Sequence, residues 1–420
     1  MSNRLKAWCT VQRVGRTKWL YSFLILLHSS FIIHHSSFSQ TLSPSAQATL
    51  MTFGPGEDLY SVFGHSSIRI QDPVLGFDRV YGYGQFDFRT DNFYVKFLRG
   101  TLPYQIGVND MYPILYAYQA ENRTIREQVL NLTPTQKQRL FQALETNLLP
   151  ENREYRYKFY YDNCATRPRD MLVNACGDSL TVPSRTKMTG KSYRDWMNQY
   201  LDMSGKSWAK LGMNLAIGQP ADEPTDGWHA MYLPDQVHDQ MALATLRQTN
   251  GQSIPLVARD QTLFAAAKTF RQQLPFLFDP NVVFGLLGLA VAVFTIRRYM
   301  ISGKVDRWLD RLLFGVSGFL GWFLFLLWVA TDHGVTAWNP TLLYLMPLHL
   351  PLIYWATGPN ATARRRTTYF SITAVLILLG MALSKVPGGV DVIFPLTLLI
   401  RCVVNLQFAR KGYRTPALVE

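Results

Sequence analysis

The chain has 420 residues and a formal net charge of +13, a length that accommodates two or three compact units. That charge is unevenly placed: residues 1–39 hold five basic residues and no acid, residues 275–420 hold 13 basic and six acidic ones, and residues 40–274 are close to neutral. A nucleic-acid footprint, which needs lysine and arginine clustered on a soluble surface, is thereby excluded.

In the first 39 residues, Arg4, Lys6, Arg13, Arg16 and Lys18 flank the start of the apolar run WLYSFLILLHSSFII, and the small residues SFS precede Gln40. This is the order of a secretory signal with a cleavage site. An uncleaved signal anchor is the alternative, since the basic region is long and the histidines His34 and His35, just after the apolar run, are unusual for a signal peptide.

Residues 40–274 form the predicted exported domain. HSSIRI alternates, DPVLGF turns, and DRVYGYGQFDF continues with aromatic and β-branched residues, which predicts an antiparallel strand pair. NFYVKFLRGTLPYQIGV carries mixed signals and TIREQVLNL reads as a further strand. Thr133, Pro134 and Gln136 supply an N-cap, a proline at the first helical position and a capping-box partner, opening a helix to about Leu149. YRYKFYY reads as extended, and a helix holding RDMLVNAC ends at Gly177. Further helices are expected around Tyr193–Leu201 and Pro234–Asn250, separated by a loop-rich stretch, LGMNLAIGQPADEPTDGW.

From Pro275 onward the composition turns apolar, and five candidate spans follow: Val282–Ile296, Leu312–Ala330, Leu342–Ala356, Tyr369–Leu383 and Val390–Leu406. The first, third and fourth fall short of the roughly 20 residues a span needs unless flanking aromatics extend them. Loops after spans one, three and five carry eleven basic residues, against the single Lys385 in the opposite loops. The positive-inside rule then puts the basic loops and the C-terminus in the cytoplasm and residues 40–274 outside.

Outside the signal and the last span only Cys164 and Cys176 remain. On one helix they would lie about 18 Å apart at roughly 1.5 Å per residue, beyond disulfide reach. Cys164 is therefore expected to be free. Pro168, which lacks an N–H, belongs in a first turn, so the helix should begin at or just after Cys164. Helix-terminal N–H groups and dipole would favour a thiolate and could hold an oxyanion. A cysteine nucleophile needs a base, and of the exported histidines, His65, His229 and His238, His65 at the head of a strand is the first choice. A structural histidine and a small buried cysteine are the alternative on spacing alone.

The segments GPGEDLYSVFGHSSIRI, VYGYGQFDF and YYDNCATRPRD, in that order and followed by the spans, resemble the Lnb family of lipoprotein N-acyltransferases of Bacteroidota. The resemblance covers nearly everything after the signal. It implies an α+β protein: an exported domain with a permuted papain-like or NlpC-like arrangement, an antiparallel sheet and the cysteine at a helix N-terminus, then a five-helix transmembrane domain. The boundaries are 1–39 for the signal peptide, 40–274 for the periplasmic domain and 275–420 for the membrane domain.

It also implies His65 as base and Cys164 as nucleophile. The reaction implied takes an acyl chain from a membrane phospholipid through a thioester to the α-amine of a diacylated lipoprotein, at the bacterial inner membrane. No cofactor or metal is needed. If the two strands pair about the turn near Val74–Gly76, Tyr83, Gln85 and Asp87 fall opposite His65 and are candidates to orient its ring. Within the motifs, Asn163, Arg69, Arg167 and Asp170 are candidate orienting or substrate-contacting residues, with a strand-to-helix salt bridge as the simpler role for the last three. His333 and His349 are candidate lipid contacts or packing histidines, and Arg401 is expected to snorkel or pair within the bundle. A membrane-anchored papain-like peptidase or amidase of the envelope is the alternative enzyme, and a scaffold that kept the fold the alternative outside enzymology.

Overall fold

The structure, a computed structural model, describes residues 40–267, 271–385 and 389–414. The signal segment 1–39 and its alternative as an anchor lie outside them. The described residues from Leu42 onward form one compact unit.

The exported part is built on a seven-stranded sheet. Its strands are β1 (Gln47–Phe53), β2 (His65–Asp72), β3 (Phe77–Gln85), β4 (Pro103–Asp110), β5 (Ile125–Leu130), β6 (Glu154–Arg156) and β7 (Val257–Phe264). They lie in the order β7-β5-β1-β2-β3-β4-β6, every neighbouring pair antiparallel. The β2–β3 hairpin turns at Asp72–Phe77, so Ser67 pairs with Gly82, the register that the alternation and turn residues call for. One face buries Leu50, Ile68, Ile70, Tyr81 and Tyr83 under the helices Pro134–Leu148 and Thr166–Cys176. The other face packs Met51, Phe53 and Val80 against the helix Met111–Ala120.

Several elements follow from local chemistry. Thr133 and Gln136 form the reciprocal capping box with Pro134 in the first turn. Gly177 stops the helix Thr166–Cys176. The helix expected to reach Asn250 instead ends at Ala242, because Thr245–Arg247 is a strand that pairs with Ser253–Pro255 on one side and Leu180–Thr181 on the other. YRYKFYY is extended only at its start, over β6. The mixed NFYVKFL segment is a short helix, Phe93–Leu98. The loop-rich stretch contributes to a helix, Ser207–Ala216.

Among the described residues four helices are long and apolar enough to span a membrane: Pro280–Ser302, Arg307–Val329, Ala363–Leu383 and the helix from Val390. The third candidate span, Leu342–Ala356, is not one of them, so helix length and composition alone do not establish the expected five. It consists of a 3-10 turn, Pro340–Leu343, a non-helical stretch, and the helix His349–Thr357, whose nine residues reach only about 13 Å. The segment still passes along the bundle: Pro340 and Tyr344 pack on Gly380 near the end of one span, while Thr357 accepts from Arg311 at the start of another. Irregular backbone is tolerated at such depth when protein covers it. Here the cover is the glycine face of Arg307–Val329, where Gly321 lies against the Leu345 carbonyl and Gly318 against Leu350 N. Arg401 pairs with Asp310 at 2.7 Å, both buried, with Asn405 completing the carboxylate's partners; it pairs within the bundle rather than snorkelling. His349 is buried and bonded to the Tyr369 hydroxyl.

The exported part and the bundle are joined tightly. Gly218 N donates to Val335 O, Asn339 Nδ2 donates to Leu215 O at 2.6 Å, and Gly218 sits against the Ala337 carbonyl with no room for a Cβ. Arg194, almost wholly buried, fixes this corner through Asp222 and the carbonyls of Ile217 and Gly218.

Glycine substitutions test the packing of the broken segment. Gly321→Val should cost about 1–3 kcal/mol by overpacking and lower the thermal midpoint of the detergent-solubilised protein. Gly315→Val, one helix face away with open space around it, should leave the midpoint unchanged.

Candidate active site

Cys164 and His65, a hundred residues apart in sequence, line one cavity of about 780 Å³. Two glycines of β3 make room for them. A Cβ on Gly82 would stand 3.2 Å from His65 Nε2, and one on Gly84 would stand 3.3 Å from Cys164 Cβ. The β3–β4 register shifts between Tyr83 and Gln85, and Gly84 between them has φ +91°, a conformation that favours glycine. The bulge lets the cysteine approach the strand.

The cysteine is held from behind by Asn163. That side chain accepts from Ala165 N at 2.8 Å and Thr166 N at 3.0 Å, and donates to Phe159 O and Tyr232 O. Asn163 is thus a positioning residue. It also takes up first-turn N–H groups of the helix that were expected to receive an oxyanion. Donors at the sulfur come from elsewhere: the Tyr157 hydroxyl and the backbone N–H groups of Ser66 and Cys164 itself.

Electrostatics set the resting protonation. Burial pushes the Cys164 thiol up to about 11, outweighing the Tyr157 and backbone hydrogen bonds and the Arg123 charge that favour the thiolate. Burial thus opposes the helix-stabilised thiolate expected from the sequence. Burial, with Arg123 adding to it, brings His65 down to about 4, so the ring is a neutral base at pH 7. Arg123 is itself buried, donates to Gly54 O at 2.9 Å and stacks on Tyr118.

The other anticipated residues have different tasks. Asp87 is exposed and bound by Arg89; it is engaged away from the His65 ring because β3 ends at Gln85. Tyr83 points to the opposite face, into the core with Tyr81. Gln85 lines the cavity but lies over Gly107 of β4. Arg69 binds Asp78 at 2.7 Å and Glu127, tying strands together rather than strand to helix. Arg167 forks onto Asp162 and stacks 3.7 Å above Tyr155, and Asp170 pairs with Arg169. His229 and His238 are bound by Asp226, and by Asp239 and Asp260. His333, from the loop after the second span, lines the same cavity as Cys164.

Sequence reasoning missed Gly82, Gly84, Ser66, Tyr157 and Arg123. Only the glycines left a signal, the repeated Gly in VYGYG.

Most of the cavity wall is apolar or aromatic, including Leu59, Phe63, Phe86, Phe97, Leu102, Tyr104 and Phe159. A thiol and an imidazole inside such a wall are the kinds of group that acyl transfer through a covalent intermediate would need.

The protonation states predict a distinctive pH dependence. A raised thiol pKa means that thiolate accumulates only as pH approaches about 11. Alkylation of Cys164 by iodoacetamide should therefore climb roughly tenfold per unit from pH 7 to 10, with no plateau near neutrality. A plateau beginning near pH 5 would sink the neutral pair. Gly84→Ala, which adds strain and crowds the sulfur, should cut the alkylation rate, whereas Gly76→Ala, equally strained but with open space around it, should not.

Two domain families match the chain. Residues 35–205 match the Lnb N-terminal periplasmic domain and residues 271–412 match the Lnb transmembrane domain. No curated protein and no solved structure matches. The two matches stand in the same order as the sheet domain and the bundle, and together they cover most of the sequence, including His65 and Cys164. The chain belongs to the Lnb family, with a periplasmic N-terminal part and a membrane-spanning C-terminal part.

Proposed function

We propose that the protein is a lipoprotein N-acyltransferase that moves an acyl chain from a membrane phospholipid, through a Cys164 thioester, to the α-amine of a diacylated lipoprotein. The observation that carries this reading is a mostly apolar cavity lined by Cys164 and His65 together with His333 of the membrane domain. A volume of about 780 Å³ is within the range of about 300–1,000 Å³ usual for small-ligand sites, and its lining suits a hydrocarbon tail.

In the first half-reaction the ester carbonyl carbon meets Cys164 Sγ while the thiol proton passes to the neutral His65 ring. The Tyr157 hydroxyl and the Ser66 and Cys164 N–H groups, which favour negative charge at the sulfur, would be the nearest donors for the developing oxyanion. The imidazolium then protonates the departing lysophospholipid oxygen. In the second half the lipoprotein amine attacks the thioester, His65 accepts its proton, and Cys164 leaves as the thiolate and is reprotonated. Because both resting partners are neutral, no buried charge pair waits for substrate; charge appears only as the reaction proceeds. The apolar wall limits water, which would otherwise hydrolyse the thioester.

Both substrates are lipids or lipid-anchored. Withdrawing either from the bilayer costs about 0.8 kcal/mol per methylene, a cost that a site mounted on membrane helices avoids. The excess of basic residues in the loops after the first, third and fifth candidate spans supports a cytoplasmic side for those loops under the positive-inside rule. The apolar wall also weighs against a peptidase or amidase, whose substrates and water need a wet cleft.

In a strain with no other copy, Cys164→Ala should abolish N-acylation of mature lipoproteins, read by mass spectrometry of their N-terminal peptides. His65→Ala should lower the rate by about 10²–10⁴-fold. Purified protein incubated with labelled phospholipid should carry hydroxylamine-labile acyl label that depends on Cys164. Lipoproteins that remain N-acylated in the Cys164→Ala strain would overturn the proposal.

A further inference from the structure

The connection from β3 to β4 holds the helix Phe93–Leu98, and none of its residues is buried. Phe88 is 68% exposed, Tyr94 81%, Val95 57% and Phe97 53%. A six-residue helix gains too little from its own hydrogen bonds to persist in water, and a contiguous apolar patch marks an interaction surface.

Its position says what the patch faces. Arg99 O accepts from Asp332 N at 2.7 Å, and Leu98 O accepts from His333 Nε2 at 2.9 Å. Gly100 allows this approach: with φ +66°, its ideal Cβ would stand 3.0 Å from Asp332 C and His333 N. From the other side, Arg156 and Lys158 hold the Asp332 carboxylate at 3.0 and 2.7 Å. Asp332 is three residues beyond Val329, where the second span ends. The short helix is therefore pinned level with the top of a membrane-spanning helix, its aromatic side chains outward.

The same segment is also a wall of the cavity: Phe86, Phe88, Phe97, Gly100 and Leu102 line it together with His65 and Cys164. We propose that Phe93–Leu98 lies within the outer leaflet, embedded among acyl chains at headgroup depth, and forms the portal through which a lipid tail passes from the bilayer to Cys164. The partner is the lipid surface itself. Lys96 and Arg99 are near enough for their heads to reach the phosphates while the stems stay with the apolar face. The portal role rests on the acyl-transfer reading; the insertion does not.

The test uses the full chain in phospholipid vesicles, in a Cys164→Ala background, with Tyr94→Cys carrying a nitroxide and Val74→Cys as reference. Val74 is exposed at the β2–β3 turn, the end of the hairpin away from His65. The label at 94 should be reached by oxygen several-fold more readily than by a water-soluble nickel chelate, and the label at 74 should show the reverse. Equal chelate access at both positions, or shielding of position 94 from both relaxers as under a protein partner, would overturn the insertion.

With Cys164 restored, Tyr94→Asp combined with Val95→Asp should slow acyl transfer from vesicle phospholipid at least tenfold. Acylation of Cys164 by a water-soluble short-chain thioester should not change. A loss under twofold from the vesicle donor would overturn the portal. If neither donor acylates Cys164 in the unmodified chain, the acyl-transfer reading and the portal with it fall, and the depth measurement still decides the insertion.

Discussion

The arrangement depends on one close approach, that of Cys164 to the backbone of β3 at Gly84. A strand normally presents a side chain every second residue to each face, which would leave the cysteine no berth beside His65. The bulge at Gly84 and the bare Cα of Gly82 remove that obstacle. Asn163 then fixes the helix start, so that the sulfur cannot withdraw without breaking buried hydrogen bonds. Each such bond is worth about 0.5–1.5 kcal/mol net, and more when a buried partner would be stranded.

Burial connects this packing to the chemistry. Enclosing the pair makes charge expensive, raising the thiol and lowering the imidazole. The same enclosure strengthens hydrogen bonds to any charge that does appear at the sulfur or the attacked carbonyl. Cys164 and His65 are partly exposed to the cavity, so the neutral ground state holds most firmly when the cavity is filled by an apolar ligand. The rigid corner where Gly218 meets Ala337 keeps that environment at a constant height above the bundle.

How much of this was legible in the sequence varied with how local the cause was. The β2–β3 register followed from alternation and a turn, the Thr133 cap from three neighbouring residues, and the limits of the Cys164 helix from Pro168 and Gly177. That His65 shares a cavity with Cys164 could be anticipated because few histidines compete in that part of the chain. Ser66, Tyr157 and Arg123 come from three separate segments, and nothing in their own neighbourhoods marks them. The orienting residue was sought among side chains opposite His65, whereas the strand offers two absences of side chains there. The third span looked like a helix by hydropathy; its break follows from packing of Tyr344 and Leu345 against distant glycines, beyond what Pro347 and Pro351 alone suggest.

The raised thiol pKa has one more consequence, for survival in an oxidising compartment. Peroxides and disulfide-forming catalysts react with thiolate, and a group with a pKa of about 11 is ionised in only about one molecule in ten thousand at pH 7. Cys176, the nearest cysteine in sequence, is unpaired and buried at the far end of the helix, so it cannot trap Cys164 in a crosslink. On the proposed acyl-transfer reading, the burial that keeps the Cys164 thiol protonated would also slow its oxidation.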